Sequence, residues 1–193
     1  MKALHEYLAD AERAHGHMCA GQVLGVRMSM LGLKLLGIDD PTGKDRKRLV
    51  TYVEIDRCAT DAISVVTGCK LGRRAMKFRD WGKMAATFVD FATGEAVRIA
   101  AKESSRELAA RMFSDVEHPG KQQDLAYREL SDEDLFQVQR VKVQLPEREM
   151  PGYKGPRVSC AECGEAVNFG KEVLRDGRSL CRGCAGERYY ELV

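Results

Sequence analysis

Met84-Ala85-Ala86-Thr87-Phe88-Val89-Asp90-Phe91-Ala92, then Thr93-Gly94-Glu95, then Ala96-Val97-Arg98-Ile99-Ala100-Ala101: this stretch decides the fold class. Two runs alternate between apolar and polar residues, and a short glycine-containing break separates them. That is the pattern of a β-hairpin. Upstream, residues 49–56 alternate and are β-branched, which predicts another strand. Thr60 is placed to cap a helix over 61–67, closed by Gly68. Downstream, Ser104-Ser105-Arg106-Glu107 reads as a capping box opening a helix through Phe113. A further helix is expected over 122–130 and a last strand over 136–145. At the start, Leu4, Tyr7, Leu8 and Ala11 recur at helical spacing, and residues 20–36 form a second, apolar helix ended by Gly37. Residues 70–83 read only as a basic segment containing Trp81, the single tryptophan. Helices, then a hairpin, then helices make an α+β domain, not repeated βαβ units.

Composition narrows the function classes. The chain has 193 residues, 44% of them hydrophobic, and a formal net charge of +2 at pH 7. Such a charge gives no field for nucleic acid or an acidic membrane. The apolar helix over 20–36 is interrupted by Arg27 and Lys34, so no membrane span is expected. The charged amphipathic start does not resemble a signal peptide, and a cytoplasmic protein is expected. In a reducing compartment the seven cysteines read as ligands, catalytic groups or buried hydrophobes, not as a disulfide frame.

The densest chemistry lies in His15-Gly16-His17-Met18-Cys19-Ala20-Gly21. In an extended segment alternate side chains share a face, so both imidazoles and the thiol would meet one point. Cys19 falls at the start of the apolar helix, where the helix dipole favours thiolate. Two uses follow. His15, His17 and Cys19 are candidate ligands of a core metal ion, zinc by ligand type, with Cys58 as the nearest addition. Alternatively Cys19 is a catalytic thiolate nucleophile. Asp56, Asp61 and Cys69 are candidates for the surrounding shell, the two carboxylates by orienting a histidine. The competing reading makes the histidines turn residues, and Cys19 and Cys58 small buried hydrophobes. His5 and His118 read as surface residues. Gly21, Gly25 and Ser29 fall on one helix face, small enough for another backbone to approach within the subunit or across a dimer.

Residues 145–159 hold three prolines and two glycines, which predicts a semi-rigid linker over 146–159 between a core over 1–145 and a module over 160–193. Cys160-x-x-Cys163 and Cys181-x-x-Cys184 are two knuckles suited to tetrahedral zinc. A hairpin turning at Asp176-Gly177 and a helix over 185–192 would complete a treble-clef or ribbon-like finger. Four thiolates leave no free position, so this zinc is structural. From Arg157 onward six Lys/Arg balance six Asp/Glu. Without a basic stripe, nucleic acid is not the expected partner.

Longer motifs carry a family resemblance. His15-Gly16-His17-x-Cys19-x-Gly21 with Leu24-Gly25-x-Arg27-Met28, Glu54-x-Asp56-Arg57-Cys58-x-x-Asp61-Ala62-Ile63 and Val66-Thr67-Gly68-Cys69-x-Leu71-Gly72 together resemble the FmdE family of formylmethanofuran dehydrogenase components, over roughly residues 10 to 145. The resemblance implies an α+β core with a cleft around the His/Cys motif and a dimer-forming tendency. It also implies association with a molybdenum- or tungsten-dependent oxidoreductase, whose redox chemistry belongs to other subunits. The expectation is a metal-binding accessory protein and a homodimer, with the finger packed on the other subunit. The alternative is a stand-alone enzyme acting through the cleft metal or Cys19.

Overall fold

Phe88 and Val97 face each other across the hairpin, both without exposed surface. The computed structural model describes residues 1–193, which divide into a unit over Met1–Gln144 and a unit over Leu145–Val193. The first runs α1 (Leu4–His15), α2 (Ala20–Leu35), β1 (Leu49–Val53), α3 (Cys58–Thr67), β2 (Met76–Phe78), β3 (Ala85–Asp90), β4 (Glu95–Ala101), α4 (Ser104–Met112), α5 (Pro119–Glu129), α6 (Asp132–Leu135) and β5 (Phe136–Val141). The sheet order is β2-β1-β3-β4-β5. Only β1 and β2 run parallel, with Thr51 opposite Met76; the other pairs are antiparallel. This is the expected mixed helical and antiparallel core.

Helix α2 covers the Phe88 face. A Cβ on Gly32 would fall 2.5 Å from the Phe88 ring, so only glycine lets the sheet come this close. The small-residue face of α2 is taken up within the first unit itself: a Cβ on Gly25 would lie 2.4 Å from the Ala59 carbonyl of α3. On the opposite sheet face, the buried Glu54 carboxylate receives two hydrogen bonds of 2.7 Å from Arg98. Such fork geometry satisfies a charge that burial alone would penalise. Arg27 donates to the carbonyls of Tyr127 and Leu130 and to Asp132. It thereby ties α2 to the C-terminal end of α5, where a cation complements the helix dipole.

Several boundaries differ from those expected. Helix α3 starts at Cys58, not at residue 61; Thr60 is inside it and donates to the Ile55 carbonyl at 2.6 Å. Strand β1 stops at Val53. The basic segment 70–83 supplies β2, a strand of three residues, too short to carry an alternation signal. The Ser104 capping box does not form. Glu103 is the N-cap, and Ser105 donates back to the Lys102 carbonyl at 2.6 Å. Helix α5 begins at Pro119, capped by His118, whose Nδ1 accepts from the Gly120 N–H. Proline at the first helical position loses no bond.

In the second unit β6 (Arg157–Ser159) pairs with β7 (Ala166–Asn168), and β8 (Val173–Arg175) with β9 (Arg178–Leu180). The β8–β9 hairpin turns at Asp176-Gly177, both with positive φ, as a tight hairpin requires. In place of a helix over 185–192 there is one turn at Gly183–Glu187, interrupted by Gly186 at φ +105°. No helix of the chain is long and apolar enough to cross a membrane.

Candidate metal centre

Helix α1 ends on His15, and Gly16 at φ +94° takes the left-handed conformation that closes it. His17 and Met18 follow as a short connection, and Cys19 is the N-cap of α2. The ligand motif is therefore a bend between two helices, not the extended segment the alternation suggests. The bend still brings the donors together. The ligand atoms of His15, His17 and Cys19 all lie within 4.8 Å of one another, and the two rings stand 4.7 Å apart.

Asp61 Oδ2 lies 2.9 Å from His15 Nδ1. A carboxylate accepts, so Nδ1 carries the proton, and in the neutral ring Nε2 keeps its lone pair. That Nε2 is buried and has no partner. A buried acceptor without a donor costs on the order of 1–3 kcal/mol, and a cation at the shared point would remove that cost. The donor set and the carboxylate behind the histidine both fit a metal.

The other candidates are placed differently. Cys58 stands beside Cys19 across Gly21, whose Cβ would lie 3.1 Å from the Cys58 Cβ and 3.8 Å from the Cys19 sulfur. It is not part of the three-ligand group. Burial and the Cys19 thiol push the Cys58 thiol up, against the pull of Arg57. Its place at a helix N-terminus would by itself favour thiolate; desolvation outweighs that. Cys69 is buried in the core, its sulfur 3.5 Å from the Leu49 carbonyl, and burial pushes its thiol up. Asp56 is exposed and hydrogen-bonds neither histidine.

A cavity of about 510 Å³ opens beside the group, lined among others by His17, Cys19, Arg57, Cys58, His118 and Lys121. His118 is exposed, as expected, and it also stands in this wall because α5 packs on α2. The local signal for it was Pro119, which marks a helix start directly after the histidine.

In the second unit the four sulfurs of Cys160, Cys163, Cys181 and Cys184 lie within 4.8 Å of one another. Backbone N–H groups of Cys163, Cys181 and Glu162 bring the Cys160 thiol down to about 6. The Cys181 thiol and burial push Cys184 up to about 12. A divalent ion resolves this crowding by stabilising all four as thiolates.

An α+β core with a His/Cys bend, followed by a four-cysteine module, defines a metal-associated two-part architecture. Residues 14–145 match the family described as FmdE, molybdenum formylmethanofuran dehydrogenase operon. The chain belongs to the FmdE family. Residues 153–190 match the prokaryotic dksA/traR C4-type zinc finger. A probable S-adenosyl-L-methionine-binding protein of Archaeoglobus fulgidus is 32% identical over 212 residues, covering 98% of this chain and 55% of that protein. The chain thus spans about half the length of that curated relative. The crystal structure of a tungsten formylmethanofuran dehydrogenase FmdE-like protein from Syntrophus aciditrophicus shares the fold. Its TM-score is 0.65 at 22% identity, over 98% of this chain and 96% of that one.

Proposed function

We propose that this chain is a metal-binding protein whose core holds zinc through His15, His17 and Cys19, with the fourth position open to the cavity. The observation that carries this reading is the buried, unpartnered Nε2 of His15, turned into a ligand by Asp61 and gathered within 4.8 Å of two further donors. Three protein ligands are the pattern of zinc sites that keep an exchangeable position. The family's operon description supports an accessory role beside a molybdenum- or tungsten-dependent oxidoreductase, or a place among its subunits, and we propose that the chain acts there as a homodimer. The test is metal stoichiometry. Wild type should carry two equivalents per chain, and His17→Ala and Cys19→Ser one each. One equivalent in all three would overturn the core site.

A second reading is favoured by Cys19 lining the cavity: its thiolate acts on a small molecule. S-adenosyl-L-methionine is the first ligand to titrate, given the relative's name. Rapid Cys19 alkylation in a protein lacking the second metal would favour this reading.

A further inference from the structure

Three helices begin on the cavity wall: α2 at Cys19 and Gly21, α3 at Arg57 and Cys58, and α5 at His118, Gly120 and Lys121. Each brings the positive end of its dipole to that wall, although at α5 the Gly120 N–H is already taken by His118 Nδ1. The charged side chains do not cancel this field. Lys121 is paired with Asp124 at 2.9 Å, and Asp124 is held from the other side by Arg128 at 2.7 Å. Arg57 is exposed and has no carboxylate partner, so it is the cation left over in this wall.

We infer that the cavity takes a small organic carboxylate, anchored on Arg57, with an oxygen in the open position of the core metal. The second contact rests on the metal reading above; the first does not. A zinc ion held by two neutral imidazoles and one thiolate keeps a single positive charge, and Arg57 adds another. Zinc accepts carboxylate oxygen, and the planar guanidinium matches a carboxylate through two parallel N–H bonds. His118 offers one more donor: its Nδ1 accepts from the Gly120 N–H at 3.1 Å, so in the neutral ring the proton sits on Nε2.

The experiment is isothermal titration of the full chain with succinate, acetate and inorganic phosphate at low ionic strength. Wild type and Arg57→Gln are compared, and metal content is measured on the same samples. The cobalt-substituted protein adds a spectrum that reports ligands entering the metal's coordination sphere. Succinate or acetate should bind, shift the cobalt spectrum, and bind at least ten-fold more weakly to Arg57→Gln at unchanged metal content. Carboxylate binding that is absent, or equal in Arg57→Gln, overturns the inference even where two metals are present. Tighter binding of phosphate than of succinate overturns the ligand class. If the core metal is missing but succinate binds through Arg57, the metal reading fails and the carboxylate site stands.

Discussion

At His15, the carboxylate of Asp61 determines which nitrogen is left for a ligand, and this can be separated from the fold. Asp61 is 62% exposed along its side chain, so its removal leaves the core intact. Orienting groups of this kind typically contribute 10–100-fold in metal affinity, and exposure puts Asp61 at the low end. Asp61→Ala should weaken the core site about ten-fold, measured by chelator competition, while the finger keeps its ion. An unchanged affinity would show that Asp61 does not orient the ligand. The ligand types were legible in the sequence because His, His and Cys crowd into five positions. The left-handed conformation of Gly16 that folds them together was not legible, since a glycine marks freedom and not the direction taken.

Helix α2 is the element through which the fold reaches the site. Gly25 lets α3 pack against it, and so sets Cys58 and Arg57 beside Cys19. In Gly25→Ala the new Cβ would lie 2.4 Å from one backbone atom of Ala59 and 2.8 Å from another, and backbone cannot rotate away. Overpacking of this kind costs about 1–3 kcal/mol, and a lowered melting temperature should report it. Gly72→Ala, whose Cβ meets nothing within 4 Å, serves as the control and should change stability by about 0.5 kcal/mol or less. Equal melting of both variants would refute the close approach. The central hairpin was readable because its alternation and glycine turn are local. The start of α3 was not: Thr60 has the chemistry of a cap, yet the chain turns into the helix at Arg57, which caps without any side-chain bond. His118 is on the surface as its sequence context suggests, but its place in the cavity wall was not legible, since it comes from packing between helices about a hundred residues apart in sequence.

Taken whole, the chain is held by two unlike strategies. The first unit has a continuous apolar core running from Tyr7 to Phe136. In the second, Cys160 and Leu180 are the buried hydrophobic residues, too little to offset chain entropy without an ion. Complete zinc removal should therefore abolish amide protection over residues 157–193 and leave the first unit protected in hydrogen exchange. Protection that survives in the finger would contradict this. The two sites also differ in how far the chain must travel to make them. The finger's knuckles meet only once the β8–β9 hairpin between them has formed. The donors of the bend are neighbours along the chain, so a disordered peptide of the same sequence already carries them. An ion that binds folded and unfolded forms alike stabilises neither over the other. At the core site we propose, an ion therefore stabilises the fold only through what the folded surroundings add to the bend: the hydrogen bond that His15 donates to Asp61 and the burial of His15 Nε2.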